Sequence, residues 1–94
     1  MKEQMDYVKD FSERMDTLFR AYQNDGCMEN YSYKYVEKDR LAYFTVGTKD
    51  NEYMYSALDG ALHVYRSLNE GSRLVLDSCG STETTETFSI GIQY

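Results

Sequence analysis

The chain predicts an α+β fold: a two-layer sandwich with a long N-terminal helix, an antiparallel sheet of four to five strands and a second, inserted helix. The expected order is α-β-β-(β)-α-β-β. A helical apolar stripe near the N-terminus, two segments that alternate with period two, and a second hairpin at the C-terminus carry this prediction. With no internal repeat, no low-complexity linker and no proline, residues 1–94 read as a single domain.

Residues 2–24 are expected to form one amphipathic helix. At 100° per residue Met5, Val8, Phe11, Met15, Leu18, Phe19 and Tyr22 fall in one stripe, and Glu3, Asp6, Asp10 and Glu13 almost opposite. Gly26 supplies a left-handed residue to end it. Tyr31–Val36 and Leu41–Val46 then alternate around the charged turn Glu37-Lys38-Asp39-Arg40 and predict a hairpin. Setting Val36 against Leu41 puts Tyr31, Tyr33, Tyr35, Ala42, Phe44 and Val46 on the core face. Ser32, Lys34, Tyr43 and Thr45 take the other face.

Lys49–Glu52 reads as a turn and Tyr53-Met54-Tyr55 as a short third strand. Over 56–69 two patterns compete. Leu58, Ala61, Leu62, Tyr65 and Leu68 make a helical stripe, with Ser56 and Asp59 as a capping box and Gly71 as terminator. Against it stand the turn dipeptide Asp59-Gly60 and an alternation of Leu62, Val64 and Leu68. The helix has more support. Residues 73–77 and 85–94 finish as a hairpin with Phe88, Ile90, Ile92 and Tyr94 on one face. Bringing Leu74 and Leu76 to that face requires an odd-length connection around Gly80.

Leu, Ile, Val and Phe make up only 18 of the 94 residues, which with a net charge of −6 borders on a disordered composition. Ten tyrosines and five methionines restore a foldable, thin core, because a buried tyrosine contributes a large ring once its hydroxyl finds a partner. A pI near 4.6 argues against direct binding of a nucleic-acid backbone. No apolar run is long enough to span a membrane. The N-terminal MKEQMDYVKD lacks the apolar core of a secretory signal, so a cytoplasmic location is expected, with Cys27 and Cys79 as free, half-buried thiols.

No catalytic, cofactor or metal signature is present. The cysteines lie 52 positions apart, the single histidine, His63, completes no metal set, and the glycines are scattered rather than clustered around a phosphate. An enzyme is therefore not expected, and His63 is expected to be a solvated helix residue. Two features remain. Glu3, Asp6, Asp10 and Glu13 repeat about every 5 Å along a helix, near the spacing of phosphates, and suit a basic protein surface. The competing explanation is a solvated face laced by Asp10–Arg14, Lys9–Glu13 and Asp16–Arg20 pairs. Seven tyrosines lie between positions 31 and 65, more than so small a domain hides, so Tyr43, Tyr53 and Tyr55 are expected to surface as partner contacts.

Size, acidity and the lack of chemical motifs make the chain similar to phage-encoded inhibitors of host defence, the anti-CRISPR and anti-restriction proteins. That resemblance is one of composition. It implies a protein partner with a basic surface, contacted through Glu3, Asp6, Asp10, Glu13, Tyr43, Tyr53 and Tyr55. The alternative is a homodimeric adaptor, since the element order resembles that of bacterial type III secretion chaperones, though their closing third helix is missing. A homodimer fits either reading, because a thin core gains from burying one more apolar face.

Overall fold

The computed structural model describes residues 6–70 and 72–93. Helix α1 spans Tyr7–Asn24, strand β1 Ser32–Val36, β2 Leu41–Gly47, helix α2 Asn51–Leu68, β3 Leu74–Ser81 and β4 Thr85–Ile92. A single 3-10 turn at Thr48–Asp50 leads into α2. The result is the α+β arrangement expected, with four antiparallel strands in the order β1-β2-β4-β3.

Helix α1 has both ends tied. Asp6 leaves helical geometry and its carboxylate accepts the Lys9 amide at 3.1 Å, so the helix begins at Tyr7. The predicted 2–5 portion lies outside the described residues. At the other end the Cys27 amide donates to the Tyr22 carbonyl and the Gly26 amide to that of Gln23, with Gly26 at φ +79°. These bonds form a Schellman motif, which is why the glycine predicted to stop the helix does so. Val8, Phe11, Met15 and Phe19 are buried as the stripe requires, whereas Leu18, at its margin, is 39% exposed.

The first hairpin keeps its expected register: Val36 pairs with Leu41 and Tyr33 with Phe44. Ala42, Phe44 and Val46 are completely buried, Tyr31 nearly so, and Tyr33 and Tyr35 pack on the core edge. Strand β4 then inserts beside β2, placing Phe88 opposite Phe44 and Ile90 opposite Ala42. In the second hairpin Leu74 faces Ile92 and Leu76 faces Ile90. The odd residue that this parity demands is Cys79, a bulge between Ser78 and Gly80. Tyr94 and Gly71 lie outside the described residues.

The expectation for residues 53–55 fails. Tyr53-Met54-Tyr55 is not a strand but the first turn of α2, which starts at Asn51. Met54 is fully buried four residues before buried Leu58, so the stripe continues with Leu62 and Tyr65 and captures the segment. Ser56 and Asp59 are consequently exposed mid-helix residues rather than a cap, and Gly60 sits on the solvent side of the helix. Leu68, counted in the stripe, is 78% exposed because the helix ends there.

Both helices and the core face of the sheet enclose one apolar cluster. The Arg66 guanidinium donates to the Leu74 carbonyl and fastens the end of α2 to β3. Alternation sends Val36, Leu41, Tyr43 and Val75 to the opposite face of the sheet, where they are half-buried.

Candidate functional site

Two acids of the predicted stripe, Asp6 and Asp10, prove to be internal anchors, together with Asp16 further along the helix. The Tyr31 hydroxyl donates to Asp16 at 2.5 Å, the Tyr65 hydroxyl to Asp10 at 2.7 Å, and the Tyr35 hydroxyl to Asp6. Each carboxylate serves a second donor: the Lys9 amide on Asp6, Arg14 on Asp10 and Arg20 on Asp16. Asp10–Arg14 and Asp16–Arg20 are thus two of the three helix pairs read from the sequence, while Lys9–Glu13 forms no bridge among the described residues. Glu13 is exposed, and Glu3 lies outside the described residues.

These bonds shift the phenols. Burial first and the neighbouring carboxylate second push Tyr31, Tyr35 and Tyr65 well above the ordinary tyrosine range. Burial likewise raises Tyr33, whose hydroxyl meets buried Ser12 at 2.7 Å. The tyrosine ladder of β1 is therefore bonded into the fold and is not an open platform.

The exposed aromatic surface lies elsewhere, at the start of α2. Tyr53 is 48% exposed and leans edge-on against Tyr22, with ring centroids 5.5 Å apart. Hydrogen bonding to the Tyr22 side chain, then partial burial, pushes Tyr53 up to about 12. Tyr55 is 47% exposed and rests on Phe88 beside a shallow hollow lined by Asn51, Glu52 and Ser56. Asp50 accepts the Glu29 amide at 2.9 Å, and Lys49 bridges Glu29 at 2.6 Å. The two open rings thus leave the first turn of α2 on different sides, Tyr53 toward Tyr22 of α1 and Tyr55 toward Phe88 of β4, with Glu52 beside Tyr55.

The residues singled out in the sequence are not brought together. Tyr53 and Tyr55 share α2, Asp6 and Asp10 line α1, and Tyr43 is half-buried on the far face of the sheet. Sequence reasoning missed the apolar seam between the helices, a groove of about 340 Å³ lined by Phe11, Met15, Ala61, Val64 and Leu68. Val64 there is 57% exposed. Its signal was the 4-3-4 spacing of Ala57, Ala61, Val64 and Leu68, which defines a second helical stripe beside the buried one.

Cys27 and Cys79 are free but exposed rather than half-buried, one in the turn after α1 and the other at the bulge of an edge strand. His63 is exposed on α2. Among the described residues no group of three or more His, Cys, Asp or Glu side chains is placed to hold a metal, and no helix is long and apolar enough to cross a membrane. No family model, curated protein or solved structure matches the chain.

Proposed function

We propose that this chain is a small acidic protein-binding module that acts by occupying a basic surface of its partner, in the manner of inhibitors that cover the nucleic-acid cleft of a defence protein. The observation that carries the reading is the two half-exposed rings, Tyr53 and Tyr55, at the first turn of α2, with Glu52 just before Tyr53 in sequence and beside Tyr55 in the structure. The net charge of −6 steers the encounter toward positive potential. Affinity then comes from the rings, each a large apolar face with a polar rim. Lysine or arginine side chains of the partner would meet Glu52 and stack on the tyrosine faces.

The test is capture from the lysate of source or host cells at low and high salt, followed by binding kinetics with the captured protein. The expected result is one stoichiometric partner whose association rate falls steeply with salt. Replacing both Tyr53 and Tyr55 by alanine should weaken binding at least about tenfold, or roughly 1.4 kcal/mol. Unchanged affinity in that double variant overturns the reading.

The adaptor reading has one observation in its favour. The seam between α1 and α2 is apolar and open, and suits an amphipathic helical segment. A partner retained at high salt, lost on Leu68→Lys and indifferent to the tyrosine pair identifies that alternative.

A further inference from the structure

The sheet face turned away from the helices has a charge pattern that the partner surface does not explain. Cross-strand register defines its rows. Lys34 pairs with Tyr43, Tyr43 with Ser89, and Ser89 with Asp77, so one row runs Lys34–Tyr43–Ser89–Asp77 across β1-β2-β4-β3. In the next row Val36 faces Leu41, and Gly91 faces Val75. Leu41 overhangs Gly91, where an added Cβ would lie 2.6 Å from its Cδ2. Thr45 and Thr87, joined by a 2.9 Å hydrogen bond, lie in the row on the other side.

Two properties of this face stand out. On a chain with net charge −6 the four strands direct only two charged side chains to it, Lys34 and Asp77, of opposite sign. Both are exposed, and neither has an ion-pair partner among the described residues. They occupy one row at opposite edges of the sheet. A two-fold axis parallel to the strands carries β1 of one copy onto β3 of the other while leaving the rows aligned. That operation sets Lys34 opposite Asp77 of the second copy and Asp77 opposite Lys34 of the second copy. The same operation sets Val36 over Val75 of the second copy, and the Leu41–Gly91 pair over its own counterpart.

We propose that this face binds a second copy of the chain, forming a symmetric helix–sheet–sheet–helix dimer closed by two reciprocal Lys34–Asp77 ion pairs. Packed sheets lie about 10 Å apart, a gap that a lysine stem and an aspartate span together. The usual rotation of about 30° between aligned sheets moves the edges by only a few ångström, within the reach of that stem. The face is small, four strands about 4.8 Å apart, so the dimer belongs to the weak end of specific interfaces, with a Kd in the micromolar range. It lies opposite the helical layer and leaves Tyr53 and Tyr55 free, so the dimer stands or falls independently of the partner reading.

The test is sedimentation of the full chain at roughly 100 μM, well above such a Kd, combined with zero-length carbodiimide coupling and peptide mass mapping. Within one copy Lys34 and Asp77 are separated by three strand spacings, about 14 Å, too far for direct amide formation. The expected result is a species of twice 11.0 kDa containing a Lys34–Asp77 cross-link. Lys34→Asp and Asp77→Lys should each lower dimer affinity at least about tenfold, and the charge-swapped double variant should restore it. A monomer at that concentration overturns the proposal. So does a dimer that couples elsewhere, or one that Leu68→Lys abolishes and the single reversals Lys34→Asp and Asp77→Lys leave intact.

Discussion

Tyrosine and aspartate are paired here by design of the hydrogen-bond inventory. A carboxylate accepts at both oxygens, and each of Asp6, Asp10 and Asp16 uses one set of lone pairs on α1 itself and another on a tyrosine from β1 or α2. A chain poor in aliphatic residues thereby buries large rings without stranding their hydroxyls. Tyr31→Phe removes the donor to Asp16 and is expected to cost about 1.5 kcal/mol, typical of a hydrogen bond to a charged group; urea unfolding measures it. The same bonds set an alkaline limit. Tyr31, Tyr35 and Tyr65 titrate higher folded than unfolded, so their contribution is complete below about pH 10 and is lost as pH rises beyond it. The urea midpoint should fall steeply above about pH 10 and flatten in a variant with all three tyrosines changed to phenylalanine. Equal slopes in the two proteins would refute the linkage.

At the level of elements, a glycine just past one helix and a glycine inside the other have opposite consequences. Gly26 ends α1 at φ +79° with open space around it, so only backbone strain opposes a side chain. Gly26→Ala should destabilise by about 1 kcal/mol. Gly60 is inside α2 with nothing within 4 Å of an added Cβ, and Gly60→Ala should stabilise by about 0.5–1 kcal/mol. Thermal melts of the two variants should move in opposite directions. The same α2 shows where local patterns mislead. Tyr53-Met54-Tyr55 has the alternation and aromatic content of a strand, yet Met54 sits one turn before Leu58 and its burial decides the matter. The register of the first hairpin and the face parity of the second were legible because a one-residue shift would turn Phe44, Val46 and Ile90 out to solvent.

For the whole molecule, the two faces differ in chemistry, and the two proposals rest on different ones. The helical layer carries the exposed rings and the apolar seam, and the open sheet face carries the reciprocal charges. If the sheet face closes on a second copy, stability depends on protein concentration, and Tm should rise by a few degrees over a hundredfold increase. Lys34→Asp should abolish that dependence while leaving partner binding through Tyr53 and Tyr55 unchanged.

Much of this was determined by the sequence alone. The amphipathic period of α1, its glycine stop, the strand alternations and the odd connection near Gly80 gave the α+β class, the order of elements, the register of the first hairpin and the face parity of the second. These features are local, or follow from a parity that cannot slip without exposing the core. Only the tertiary structure decided which polar groups are available. Asp6 and Asp10 read as a free acidic face until β1 and α2 bring tyrosine hydroxyls to them from positions 29 and 55 residues away. Likewise, Lys34 and Asp77 share a row only because β4 enters the sheet between β2 and β3. Contacts between distant segments depend on strand order, and strand order is set by how the two helices and the sheet jointly bury one core.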